Sequence, residues 1–128
     1  MLIAAQIFAV LAAVLHIVFF VFESVLWSRP AIYGRFGIAS QEQADTIRPM
    51  AYNQGFYNLA LALGVLVGVV LAGMDGDQSV IGRTLIIFGT AGMAFAGVIL
   101  ASTGPSYRRA AAIQFIPAAL ALVLTAAS

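Results

Sequence analysis

The sequence predicts an all-α integral membrane protein that folds as a four-helix antiparallel bundle. Hydrophobic residues make up 62 % of the 128 residues and charged residues only 9 %, whereas soluble domains have about 45–50 % apolar and about 25 % charged residues. The apolar residues are gathered in four long segments that are almost free of charge. Strands of a membrane barrel would alternate in polarity and be about half as long, so helices are the predicted elements.

Each apolar segment reaches or approaches the roughly 20 residues that a helix needs to cross the hydrocarbon layer. We expect one transmembrane domain over residues 1–128, with helices at about 2–27, 49–73, 84–103 and 110–127. We expect the first segment to be retained, because it lacks the basic start of a signal peptide. Small residues recur every seven positions in the third segment, at Gly82, Gly89, Ala96 and Thr103. This repeat predicts close, left-handed packing.

The longest predicted loop covers residues 28–48, between the first two helices. Pro30 argues against continuation of the first helix into this loop. Ser40 followed by Gln43 has the pattern of a capping box, in which two side chains satisfy backbone N–H groups at a helix start. We therefore expect a short surface helix at 41–47, ended by the proline that follows it.

The distribution of arginine predicts an orientation. Five of the six arginines lie in two loops: Arg29, Arg35 and Arg48 in the first, and Arg108 and Arg109 in the third. Only Arg83 lies beside the second loop. Because loops rich in basic residues remain in the cytoplasm, we expect loops 28–48 and 104–109 to be cytoplasmic and both termini to lie outside.

Two ionisable residues interrupt the first apolar segment. His16 and Glu23 are seven positions apart, which is about two turns of a helix, so both side chains should project from the same face. Counted from the cytoplasmic end of the helix near Trp27, Glu23 lies ~6 Å and His16 ~16 Å into the membrane. Ionisable groups are costly at this depth, so the two residues mark a candidate site.

Other polar side chains are concentrated in the same half of the predicted bundle, on the helix faces that also carry the small residues. They predict a pocket open to the cytoplasm and lined by His16, Glu23, Asn53, Gln54, Tyr57, Asn58 and Gln114. We expect Trp27 and Arg48 at its mouth, with Arg48 paired to Glu23. Structural packing is the alternative for each residue, because amides also join helices in membranes.

Composition excludes or disfavours several chemistries. The chain has no cysteine, which excludes disulfides, thiol catalysis and zinc sites of the cysteine type. One histidine and one glutamate among amides form a poor site for zinc or iron, so we predict no metal and no cofactor. The formal net charge of +1 argues against a nucleic-acid partner. The expected partners are the lipid bilayer, a small-molecule ligand and further copies of the chain in a homo-oligomer.

Three groups of residues carry a resemblance to a known family. They are His16 and Glu23 in the first helix, the run YNQGFYN from Tyr52 to Asn58, and Gln114 with Pro117 in the fourth helix. On these residues the chain resembles a bacterial family of small four-helix membrane proteins, the domain of unknown function 1304. The resemblance extends over essentially the whole chain. It implies the architecture and a multi-pass position in the bacterial inner (plasma) membrane, and it implies no activity.

Three functions are compatible with these residues, and the sequence leaves open whether the protein is an enzyme. The first is a protein that binds or passes a small cationic or amphipathic molecule, with Glu23 supplying the charge. The second is a membrane enzyme acting on a lipid, quinone or isoprenoid, with His16 and Glu23 as acid and base. The third is a structural or accessory membrane subunit without chemistry of its own.

Overall fold

Four helices of the structure are long and apolar enough to cross a membrane, which confirms the predicted all-α fold class. The structure, a computed structural model, describes the whole chain, Met1–Ser128. Its elements are α1 (Leu2–Phe20), a π-helix (Val21–Val25), α2 (Pro30–Tyr33), a first 3₁₀ turn (Gly34–Phe36), α3 (Gln41–Ala72), α4 (Asp77–Thr103), a second 3₁₀ turn (Pro105–Tyr107) and α5 (Arg108–Ala126). The candidate spans are α1 with the π-helix, α3, α4, and α5 with the turn before it.

Helix α3 is longer than expected, because residues 41–47 form its first turns rather than a separate surface helix. The predicted capping box is formed in part. Ser40 Oγ accepts a hydrogen bond of 3.2 Å from the Gln43 N–H, as expected. The Gln43 side chain accepts its bond from the Ala39 N–H, one residue before Ser40. The helix then continues through Pro49. Proline removes the hydrogen bond to the carbonyl four residues earlier; this carbonyl belongs to Asp45, which is exposed, so water can replace the lost bond.

The first span changes its winding before it ends. Helix α1 stops at Phe20, and the next five residues form a π-helix that is closed by a 2.9 Å hydrogen bond from the Leu26 N–H to the Val21 carbonyl oxygen. Hydrogen bonds of a π-helix reach five residues back instead of four, and such segments are frequent at functional sites. Glu23 is the central residue of this segment, so the winding between His16 and Glu23 is not regular.

The contacts of the chain group into two compact units. The first unit consists of Met1–Leu15 and Leu61–Ser128, and the second unit is His16–Ala60. The first contains most of α1, the later part of α3, and all of α4 and α5. The second contains the end of α1, the π-helix, α2 and the earlier part of α3. The two ionisable residues of the first span therefore belong to the second unit.

Small residues bring the helices of the first unit into contact, as the sequence predicts. A Cβ atom at Gly82 of α4 would lie 2.6 Å from the Leu71 carbonyl carbon and 2.7 Å from the Gly68 carbonyl oxygen, both in α3. A Cβ atom at Gly97 would lie 3.0 Å from Phe115 Cβ in α5. Glycine allows these backbones to approach closely, and close packing of this kind holds helices together in membranes.

The buried face of α4 departs from the seven-residue repeat along its length. Gly82 and Gly89 are buried, but Ala96 and Thr103 are exposed. A straight α-helix drifts by ~20° per heptad relative to a strict repeat of seven. The drift accumulates along the helix, so the contact with α5 is made by Gly97 and not by Ala96.

Candidate functional site

One polar contact in the second unit joins two of the predicted site residues. The Asn58 amide donates a hydrogen bond of 2.8 Å from Nδ2 to Glu23 Oε2. Asn58 is only 8 % exposed, whereas Glu23 is half-buried. Glu23 forms no ion pair with any basic side chain of the protein. The arrangement is a carboxylate that is held at one oxygen by a neutral, enclosed amide.

The residue after Glu23 sets the distance between the π-helix and α3. The Ser24 hydroxyl donates a hydrogen bond of 2.8 Å to the carbonyl oxygen of Tyr52. Gly55, nearly one turn further along α3, leaves the space for this contact, because a Cβ atom there would collide with Ser24 Oγ. Because Glu23 and Asn58 lie next to these contacts along the chain, the serine and the glycine position the hydrogen-bonded pair.

Ser24 and Gly55 are not among the residues that the sequence singles out. The available signal was the glycine itself, which lies inside a run of amides and aromatic residues. Glycine in the interior of a helix costs about 1 kcal/mol relative to alanine. Its presence in α3 therefore indicated a close approach by another backbone or side chain.

His16 is fully enclosed, with 1 % of its surface exposed. Its ring packs edge-on against Phe19, with 5.3 Å between the ring centroids. A side chain enclosed to this degree does not contact a molecule that approaches from outside. This burial is consistent with the packing alternative, and the assignment of His16 to a ligand pocket stays a prediction.

Three residues expected to line the pocket, Asn53, Gln54 and Tyr57, are exposed. Tyr57 has 61 % of its surface exposed. The buried face of α3 in this unit is formed by Ala44, Ala51, Gly55 and Asn58. The expected face followed Gln54 and Tyr57, each one position before a buried residue, and one position is ~100° around a helix. Amides and tyrosines near a membrane boundary are tolerated on the outside, where they reach the headgroup region.

Of the two residues expected at the pocket mouth, Trp27 is buried and Arg48 is exposed, and their assignment to a mouth stays a prediction. Trp27 is 5 % exposed, and its Nε1–H donates a hydrogen bond of 2.9 Å to the Ala44 carbonyl oxygen. It is the centre of a buried cluster, here called the Trp27 cluster, with Tyr33, Ala44 and Ala51 and with the half-buried Phe36, Ile38 and Ile47. Burial of a large aromatic ring contributes strongly to stability. The packing of Trp27 therefore holds the first loop against α3. Arg48 is exposed and makes no ion pair with Glu23.

Gln114 lies in the first unit, where it is half-buried on α5. Pro117, three positions later, is buried inside the same helix. The assignment of Gln114 to a ligand pocket stays a prediction. Across the chain, no group of three or more His, Asp or Glu side chains lies close enough together to hold a metal ion.

No curated protein and no solved structure matches the chain. A family model described as "Protein of unknown function (DUF1304)" matches residues 10–126. The matched region includes Glu23, Asn58 and the whole Trp27 cluster. This match confirms the resemblance stated above, and the chain belongs to the DUF1304 family of proteins of unknown function.

Proposed function

We propose that this membrane protein binds a small amphipathic cation at Glu23, with Asn58 holding the carboxylate in place. The observation that carries the proposal is the hydrogen bond between these two residues, inside a segment able to span a membrane. Ionisable groups in such segments are costly, and they commonly pair with an opposite charge or mark a binding site. Because no arginine of the chain pairs with Glu23, a bound cation would supply the missing opposite charge.

The burial of the two residues supports the same proposal. The half-buried Glu23 can be approached, while the enclosed Asn58 keeps Oε2 in a fixed position. The other carboxylate oxygen, Oε1, accepts no hydrogen bond from the protein. A ligand cation can therefore contact Oε1 without displacing Asn58.

Exposed aromatic side chains next to Asn58 favour an amphipathic ligand over a simple ion. Phe56 and Tyr57 are 44 % and 61 % exposed. The Phe56 ring is held by an edge-on contact with Phe20, with 5.1 Å between the centroids. Aromatic faces attract organic cations and also bury their apolar groups. We propose that this aromatic surface, with Asn53 and Gln54 beside it, receives the apolar part of the ligand.

A membrane enzyme that uses His16 and Glu23 as acid and base is the weaker candidate. A general acid or base must come within hydrogen-bonding reach of its substrate. His16 has 1 % of its surface exposed and packs against Phe19. Catalysis by this residue would require the end of α1 to open, whereas Glu23 is only half-buried.

Glu23→Gln is expected to weaken the binding of tetraphenylphosphonium, an amphipathic organic cation, by about tenfold or more. Glutamine has nearly the size of glutamate, and its oxygen can still accept the hydrogen bond from Asn58. The substitution therefore removes the charge while it maintains the contact between the π-helix and α3. Equilibrium dialysis against the purified full-length protein in detergent measures the dissociation constant.

Glu42→Gln is the matched control, because Glu42 is an exposed carboxylate in the first turn of α3. This variant should bind tetraphenylphosphonium as the wild type does. Tetraphenylborate, which has the same shape and the opposite charge, should not displace the bound cation. Equal affinity of the wild type and Glu23→Gln would contradict the proposal, and so would efficient displacement by the anion.

We also propose that loops 28–48 and 104–109 face the cytoplasm, because five of the six arginines lie in them. The chain has no cysteine, so a single introduced cysteine reports its own accessibility without background. In intact cells, a membrane-impermeant maleimide should label Gln78→Cys, an exposed position in the first turn of α4. It should label Ala39→Cys in the first loop only after the membrane is permeabilised. The reverse pattern would show that the orientation is wrong.

A further inference from the structure

The first unit contains a feature that the proposed cation site does not use, a groove between α4 and α5. Its volume is about 260 Å³. Small residues form its floor, including Gly97, Ala101 and Ala112, and Phe115 forms one side. Gly97 allows the two helices to approach, since a Cβ atom there would lie 3.0 Å from Phe115 Cβ. The groove is thus a recess in the apolar surface of a helix pair.

Arg108 lines one end of this groove. It is the first residue of α5 and precedes Phe115 by seven positions, so the groove extends for ~10 Å along the helix. Arg108 is exposed and makes no ion pair. Because the groove lining is almost wholly apolar, Arg108 lines it with the hydrocarbon part of its side chain. The charged guanidinium of this exposed residue therefore remains available beside the groove, without an ion pair.

The acidic side chains of the first unit, Asp75 and Asp77, lie at the far end of α4 from Arg108. The last acidic residue of the chain is Asp77, which begins α4 at the end opposite to Thr103. The length of α4 places Asp77 and Thr103 ~40 Å apart. An anion that neutralises Arg108 must therefore come from outside this unit.

We propose that the groove binds one anionic glycerophospholipid, with an acyl chain along its floor and the phosphate at Arg108. An apolar recess on a membrane-spanning helix pair faces hydrocarbon chains. Arginine binds phosphate oxygens by two parallel hydrogen bonds, and basic pockets between membrane helices bind anionic headgroups. Neither α4 beyond Asp77 nor α5 has an acidic residue, so the same helix pair of a second copy would bring no opposite charge to Arg108.

Native mass spectrometry of the purified full-length protein measures this binding directly. The probes are phosphatidylglycerol and phosphatidylcholine with identical acyl chains. The wild type should retain phosphatidylglycerol in preference. Arg108→Gln should lower this retention by about fivefold and leave that of phosphatidylcholine unchanged. Ala112→Leu, which fills the groove without altering charge, should cause a comparable loss, and free inorganic phosphate should not displace the lipid.

Arg109→Gln is the matched control, because Arg109 is the exposed neighbour of Arg108 and does not line the groove. This variant should retain phosphatidylglycerol as the wild type does. If Arg108→Gln and Arg109→Gln lost phosphatidylglycerol equally, the retention would depend only on surface charge, and the proposal would be overturned. Equal retention of the two lipids by the wild type, or full retention by Ala112→Leu, would also overturn it. A dimer that Ala112→Leu abolishes without any lipid present would instead assign the groove to a second copy of the chain.

Discussion

Gly82→Ala is expected to lower the free energy of unfolding by about 3 kcal/mol, because the added methyl group has no space. The new Cβ would lie 2.6 Å from the Leu71 carbonyl carbon and 2.7 Å from the Gly68 carbonyl oxygen. These are backbone atoms inside α3, and they cannot rotate away as the end of a flexible side chain can. Helix α4 must therefore move away from α3, which weakens the close packing on which helix association in a membrane depends.

Gly64→Ala provides the matched control for this substitution. Gly64 lies in α3 within the same unit, and a Cβ atom there would meet no atom within 4 Å. This variant should be as stable as the wild type or slightly more stable, because alanine favours the helix by about 1 kcal/mol over glycine. Unfolding in mixed micelles with increasing fractions of sodium dodecyl sulfate compares the three proteins. Equal stability of Gly82→Ala and Gly64→Ala would contradict the close contact at Gly82.

The number and type of the helices could be predicted because both depend on local composition. A span needs a long apolar segment with little charge, and each of the four segments meets this condition without reference to any other part of the chain. The continuation of α3 through Pro49 is harder to predict. A proline usually ends a helix, but Asp45, whose carbonyl loses its partner, is an exposed residue, and this makes the lost hydrogen bond less costly. The cost of Pro49 depends on solvent exposure, which the sequence does not state.

The candidate site could be predicted in part, because two of its residues are indeed in contact. Glu23 and Asn58 stand out in the sequence as polar residues inside apolar spans, and a hydrogen bond joins them in the structure. The polar pattern predicts a buried face of α3 that follows Gln54 and Tyr57, one position before the residues that are buried. The small residues Ala51 and Gly55 define the buried face instead. In a membrane helix, size decides which residues can enter a close contact, and polarity is a weaker guide near the boundary.

The π-helix and the Trp27 cluster could not be predicted from pattern. A π-helix depends on which backbone N–H and carbonyl groups are hydrogen-bonded to each other. The residue types of Val21–Val25 do not determine this pairing. Trp27 had the position and chemistry of an interfacial residue. Its burial depends on the chain returning after residue 28 to place Ala44 and Phe36 beside it. Only the tertiary contacts distinguish an aromatic residue at the membrane boundary from one that is buried in a cluster.

Trp27→Ala is expected to accelerate cleavage of the first loop by trypsin about a hundredfold. Trypsin cuts after arginine unless proline follows, and Arg29 and Arg48 both precede proline, so the loop contains one cleavable site, Arg35. The next residue, Phe36, packs against Trp27 with 5.2 Å between the ring centroids. Removing a buried tryptophan costs about 3 kcal/mol or more. Because cleavage follows the population of the opened form, this cost appears as a faster rate, measured by the loss of intact protein.

Two further variants test how Trp27 protects the first loop from trypsin. Trp27→Phe keeps an aromatic ring and loses the 2.9 Å hydrogen bond to the Ala44 carbonyl oxygen, which is worth about 1 kcal/mol or a fivefold faster cleavage. Met50→Ala is the control, because Met50 is 74 % exposed in the same unit and should leave the rate unchanged. Acceleration by Met50→Ala equal to that by Trp27→Ala would mean that any truncation loosens this unit. A wild-type rate for Trp27→Ala would mean that Arg35 is protected by its own contact with the Phe22 ring, 5.5 Å away, and not by the Trp27 cluster.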